Sequence, residues 1–186
     1  LPPAPSSVHR LPARGQRVGQ APAPHRLIFL QPPTIMPTSA SIAGRTALIT
    51  GASSGIGEAV AEELAAAGAS LILWARRGDR LSALAARLAA AHPGLAVSTA
   101  AVDVTDGPAV EAALAALSGS TPIDILVNNA GLALGKDPAQ ALRLGDVETM
   151  LDTNVMALVR LTRLVLPGMV ARDAGHVINI SSVAGA

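Results

Sequence analysis

The chain has 186 residues, half of them hydrophobic, with one phenylalanine, one tryptophan, no tyrosine and no cysteine, and a formal net charge of +1. That is enough apolar chain for one domain with an aliphatic core, while the missing cysteines exclude a disulfide framework or a thiolate metal site. Residues 1–41 carry four arginines and no acid, whereas residues 42–186 set nine arginines and one lysine against thirteen acids, a net of −3, which excludes the basic surface of a nucleic-acid binder.

In chain order, the first 41 residues come apart from the rest. Nine of the fourteen prolines fall within residues 1–37, with no helical or strand period around them. Such a segment cannot bury enough surface to offset its ordering entropy, so residues 1–41 are expected to be disordered. An acid-free, Arg-rich, Ser-containing stretch also has the composition of an organelle transit peptide, although its prolines oppose an amphipathic helix. The favoured expectation is that Met36 is the natural start and residues 1–35 are upstream sequence. A cytoplasmic location follows, or a mitochondrial one if residues 1–35 are a working transit segment.

From Ile42 strands alternate with helices, the pattern of a parallel sheet covered on both faces. A strand over Thr46–Thr50 feeds a glycine-rich turn. The first helix runs from about Gly55 to Ala67, with Ile56, Val60 and Leu64 as its apolar face and Gly68 at its end. A strand over Ser70–Trp74 follows, then a helix over about Asp79–Ala91 with Leu81, Leu84 and Leu88 as its stripe. Next come a strand near Ala96–Val102 and a helix capped by Thr105 or Asp106, with Pro108 in its first turn and Val110, Leu114 and Leu117 buried. A strand over Ile123–Val127, one long helix over about Asp146–Val170, and a strand over His176–Ile180 complete the set. No apolar run is read as approaching the ~20 residues of a membrane span, so none is expected. The four histidines have no spacing suited to a metal.

The turn Thr50-Gly51-Ala52-Ser53-Ser54-Gly55-Ile56-Gly57 follows a strand and opens a helix, the context in which a dinucleotide pyrophosphate docks on a helix N-terminus. The glycines allow a sharp turn, close approach of the phosphates and close packing of the helix. A P-loop is excluded, because Glu58 stands where that motif places lysine. At the end of the second strand an NAD site carries a carboxylate for the ribose 2′-hydroxyl. This chain has Ala75, then Arg76 and Arg77. Guanidiniums with no opposing carboxylate favour a 2′-phosphate, hence NADP over NAD. Arg77 is equally readable as a solvated helix charge.

These residues also carry a family resemblance. Thr50-Gly51-x-x-x-Gly55-Ile56-Gly57, Asp103, Asn128-Asn129-Ala130-Gly131, Asn154 and Asn179-Ile180-Ser181-Ser182-Val183-Ala184-Gly185 occur in that order over residues 42–186. Together they resemble the short-chain dehydrogenases/reductases. The resemblance implies a Rossmann-type, doubly wound α/β domain with strand order 3-2-1-4-5. It also implies that Asp103 contacts the adenine with Val104 beside it, and that Asn129, Ala130 and Gly131 line the ribose side. Asn154 would hold a proton-relay water, and Ser182 would bind the substrate oxygen. Small-molecule carbonyl/alcohol substrates and a homo-oligomeric full-length parent are implied as well. More narrowly, Asn129-Ala130-Gly131-Leu132-Ala133-Leu134-Gly135 resembles the subgroup acting on 3-hydroxy acids such as serine or allo-threonine. Plainer roles stand beside these: strand-end caps for Asp103 and Asn128, a backbone-bonded helix residue for Asn154, a turn residue for Ser182.

The family's Tyr-x-x-x-Lys pair has no counterpart, since the chain has no tyrosine and its one lysine, Lys136, precedes the long helix. The chain is therefore expected to be truncated after its fifth strand and inactive by itself, with the full-length parent the enzyme. The alternative is a non-catalytic NADP-binding or interaction module.

Overall fold

In a computed structural model, residues 41–117, 121–135 and 137–182 are described. The chain divides into residues 1–39 and 40–186, and the account below concerns the second unit. The expectations for the tail, for Lys136 and for Val183, Ala184 and Gly185 lie outside the described residues.

Five apolar segments form strands: β1 (Thr46–Thr50), β2 (Ser70–Ala75), β3 (Val97–Ala101), β4 (Ile125–Asn128) and β5 (His176–Asn179). All pairings are parallel, in the order β3-β2-β1-β4-β5, as the alternating pattern predicts. The connecting helices are α1 (Gly55–Ala66), α2 (Gly78–Ala91), α3 (Gly107–Ala116), α4 (Leu144–Leu151) and α5 (Ala157–Ala171). Thr50 pairs with Trp74, Ile49 with Val127 and Asn128 with Asn179, so the strands end along a common edge. The winding reverses between β1 and β4, and such a switch point opens a crevice beyond the strand ends.

Both sheet faces are buried, which is why the strands read as continuous apolar runs. Side-chain alternation sends Ile49, Leu71, Leu73 and Val127 to one face beneath Leu81, Leu84 and Leu88 of α2. Leu48, Ile72, Trp74 and Leu126 pack on the other with Val110 of α3 and Leu161, Val165 and Met169 of α5. Trp74 is fully buried, and its indole N–H has no partner among the described residues.

Three expectations need correction. The buried residues of α1 are Gly57, Ala61 and Ala65, while Ile56 is 61% exposed and lines the crevice. Small residues bring α1 close to the sheet, so the packed face is rotated from the Ile56–Val60–Leu64 stripe; Val60 and Leu64 only flank the core. The long helix is interrupted: α4 passes through a π-turn at Asp152–Met156 before α5 begins. That helical run, Leu144–Ala171, is 28 residues and apolar enough by length and composition to cross a membrane, against the expectation of no such run. One face of it, Ala157, Leu161, Val165 and Met169, is buried in the domain, while Leu144, Leu151, Val159 and Val170 are exposed and Asp146, Glu148, Asp152, Arg160 and Arg163 interrupt the run. Smaller differences are terminal: β3 is Val97–Ala101 and β4 Ile125–Asn128, within the usual one- or two-residue latitude of strand ends.

Candidate dinucleotide-binding site

A cleft of about 780 Å³ opens at the switch point. Its floor is the glycine turn, held in shape from behind. Gly51 and Gly55 adopt φ of +66° and +60°, a left-handed backbone that glycine enters without steric cost. A Cβ on Gly51 would lie 2.9 Å from the Cα of Ala130, and one on Gly57 would overlap the Asn129 side-chain amide and approach the Gly51 carbonyl oxygen to 2.5 Å. No side chain among the described residues caps the first turn of α1. Its N–H groups and dipole therefore remain for an anion.

Asn129 ties this floor to β4. Its side-chain amide donates to the carbonyls of Thr50 at 2.9 Å and Gly51 at 3.3 Å. Thr50 is buried, and its hydroxyl accepts from the backbone N–H groups of Asn129 and Ala130, both at 3.0 Å. Thr50, Gly55 and Gly57 do not line the cleft; Gly51, Ser53, Ser54, Ile56, Asn129, Ala130 and Gly131 do.

At the end of β2, Arg76 and Arg77 are both exposed and both line the cleft. The Arg77 guanidinium donates to Ser53 Oγ at 3.0 Å and to Ser54 Oγ at 2.7 Å. It therefore stands over the entrance to α1, exposed but hydrogen-bonded to the glycine turn. Arg76 acts on the next wall, where Asp103 follows β3. Burial pushes the Asp103 carboxyl up, but hydrogen bonds from the Thr105 N–H and hydroxyl and the Arg76 charge outweigh it, so the group is held below the ordinary carboxylate range. The two Thr105 bonds are 2.9 and 2.7 Å, to the same oxygen. Val104 lines the cleft beside them.

Asn154 sits in the π-turn. Its Nδ2 donates to the Leu132 carbonyl at 2.8 Å and its Oδ1 accepts from the Leu132 N–H at 2.9 Å, so its whole amide clamps the loop after β4. Asn128 is buried and donates to Thr162 Oγ1 and Asn179 Oδ1, at 3.0 and 2.9 Å, joining β4 to α5 and β5. Ser182 is exposed, three residues past the end of β5; neither it nor Asn154 lines the cleft.

Sequence reading gave Thr105 only as a candidate helix cap and passed over the other residues of this set. Thr105 fixes Asp103; Arg160 on α5 donates from Nη1 to the Thr105 carbonyl at 3.0 Å; Thr149, Asp152 and Thr153 line the far end of the cleft. Only the last three carried a signal, their closeness in sequence to Asn154.

The short chain dehydrogenase family model matches residues 45–186, and the chain belongs to that family. It is 48% identical over 139 residues to the NADP-dependent 3-hydroxy acid dehydrogenase YdfG of Salmonella typhi, covering 74% of this chain and 54% of that protein. It is 49% identical over 140 residues to serine 3-dehydrogenase of Agrobacterium fabrum, covering 75% and 54%. The structure of a serine dehydrogenase in its closed form complexed with NADP+ superposes with a TM-score of 0.70 at 46% identity, over 75% of this chain and 55% of that one. The chain thus spans about half the length of the curated relatives it matches.

Proposed function

We propose that this chain forms the NADP-binding part of an oxidoreductase interconverting a carbonyl and an alcohol, with 3-hydroxy acids as the substrate class. The observation that carries the reading is the basic end of β2: Arg76 and Arg77 line the cleft, Arg77 is pinned to the glycine turn by Ser53 and Ser54, and Ala75 stands where a carboxylate would repel a 2′-phosphate. The names of the relatives support both the cofactor and the substrate class.

The residues present fit NADP. The uncapped first turn of α1 takes the pyrophosphate, and no larger residue could replace Gly51 or Gly57 without displacing Asn129 or Ala130. Arg76 and Arg77 bind the 2′-phosphate, Asp103 and Val104 meet the adenine, and Asn129, Ala130 and Gly131 line the ribose. Bound NADP(H) supplies or accepts the hydride. Ser182 hydrogen-bonds the substrate oxygen, and Asn154, by clamping Leu132, orders the ground on which a relay water stands.

The test is a titration with NADPH and NADH. Trp74 is the only tryptophan, so quenching of its emission reports binding. The chain should prefer NADPH, and Arg76→Ala combined with Ala75→Asp should move the preference toward NADH. Charge-assisted hydrogen bonds contribute about 1.5–3 kcal/mol each, an easily measured change. An unchanged NADPH/NADH ratio would sink the assignment.

By itself the 186-residue chain should bind without turnover, since it holds no tyrosine and the general acid–base contribution of roughly 10²–10⁴-fold is lost with it. Oxidation of NADPH by a carbonyl substrate that disappears in Ser182→Ala would overturn this. The same composition favours a second reading, a non-catalytic NADP-binding module. Transcript sequence past Ala186 separates them: an open frame carrying Tyr-x-x-x-Lys supports the enzyme, a stop codon the module.

A further inference from the structure

Arg160 projects from α5, yet among the described residues no carboxylate pairs with it. Its Nη1 donates to the Thr105 carbonyl at 3.0 Å. The guanidinium lies against the first residue of α3, since a Cβ on Gly107 would stand 3.3 Å from its Nε and 3.6 Å from its Cζ. A cation beside a helix N-terminus is electrostatically unfavourable, so the local helix field does not account for the placement. The hydrogen bond to Thr105 does. Thr105 in turn gives both its N–H and its hydroxyl to Asp103, and Asp103, Val104 and Thr105 together form one wall of the cleft.

We propose that Arg160 is a positioning residue for the adenine end of the cofactor: it fixes the turn Asp103–Thr105 through the Thr105 carbonyl. Six residues upstream, Asn154 clamps Leu132 in the loop after β4. One helical run therefore holds both loops that frame this side of the cleft, through one side chain within the π-turn and one in the first turn of α5. Substitution of Arg160 frees the β3 loop while leaving the β4 loop held, so the two halves of the cofactor should respond differently.

The inference rests on the NADP reading, and the experiment separates the two. The full chain and Arg160→Met are titrated with NADPH, with 2′,5′-ADP for the adenine half, and with reduced nicotinamide mononucleotide for the other half. The expected result is an approximately tenfold loss of affinity for 2′,5′-ADP, the scale of one hydrogen bond from a charged donor, with the mononucleotide unchanged. Arg160→Lys, which keeps a cationic donor, should recover most of the loss, a rescue that a packing defect would not show. Equal loss for both halves, or loss for neither, overturns the inference while leaving the NADP reading intact. Failure of the unsubstituted chain to bind NADPH overturns both. Should Arg160→Met not fold, Arg160→Gln carries the same comparison.

Discussion

Thr50 is 2% exposed, and its one hydroxyl has no bonding capacity left. It donates to the Val127 carbonyl at 3.3 Å and accepts from Asn129 and Ala130, against a hydroxyl's inventory of one donor and two acceptor positions. Valine has nearly the same shape but leaves two backbone N–H groups without their acceptor, at about 1–3 kcal/mol each. Thr50→Val should therefore lower unfolding free energy by about 2–6 kcal/mol and weaken NADPH binding, because Asn129 and Ala130 border the cleft. Thr50→Ser removes only a methyl group, worth about 0.8 kcal/mol. Urea unfolding followed by Trp74 emission measures both, and equal losses would show that the hydroxyl is not what matters. Asp103 makes a second case. Its carboxyl is held below the ordinary range, so its contribution to stability is present above its unfolded value of about 3.9 and disappears as pH falls through the folded value. The stability difference between the unsubstituted chain and Asp103→Asn should be flat from pH 5 to 8 and shrink only in acid. A difference that instead changes around pH 6 would contradict the hydrogen-bonding pattern. Residues such as Gly51, Arg76 and Asp103 were legible in the sequence because their types, order and spacing mark them. Arg160 and the clamping role of Asn129 were not, because each is defined by a partner 55 or about 80 residues away.

Among elements, the alternation of parallel strands and helices was readable because apolar runs of strand length alternate with helical stripes, and the strand order came with the family resemblance. What escaped was rotation and register. The Ile56–Val60–Leu64 spacing is a sound helical stripe, but hydrophobicity cannot show that α1 packs on Gly57, Ala61 and Ala65. Similarly, apolar periodicity runs straight through the π-turn that carries Asn154 to its bonds with Leu132, and such bulges are frequent at functional sites. At the opposite end of the sheet, Asp124 joins several elements. Its Oδ2 accepts from the Thr46 N–H at the start of β1 at 3.0 Å, and its Oδ1 lies 3.7 Å from Arg45 and 3.8 Å from Arg172 at the end of α5. The magnitudes rank these contacts. Long, partly solvated ion pairs contribute about 0–1 kcal/mol, whereas an unmet backbone donor in a largely buried setting costs about 1–3 kcal/mol. Asp124→Asn, which still offers an amide oxygen to Thr46, should lose clearly less stability than Asp124→Ala. Urea melts decide it, and equal losses would place the weight on the ion pairs instead.

For the whole molecule, the decisive feature is what α5 and β5 leave uncovered. Among the described residues β5 pairs only with β4, so its other edge presents unpaired N–H and C=O groups, and an exposed edge is a template for association. Beside it a groove of about 510 Å³ runs between α5 and Asn179, lined by Leu158, Val159, Leu166, Pro167 and Val170. Val159 is 52%, Leu166 42% and Val170 70% exposed. Contiguous apolar surface of this kind is uncommon on a monomer, unlike scattered exposed leucines. An edge and an apolar face side by side should make this 186-residue chain self-associate. Size-exclusion chromatography across a hundredfold concentration range should show the apparent mass rising. Charged substitutions on the face, Val159→Glu with Val170→Lys, should shift the equilibrium toward monomer. Neither residue lines the cofactor cleft, so NADPH affinity should be unchanged in the substituted chain. A concentration-independent monomer from the unsubstituted chain would show that the edge is protected. Unchanged association in the charged variant would locate the contact at the β5 edge rather than on α5.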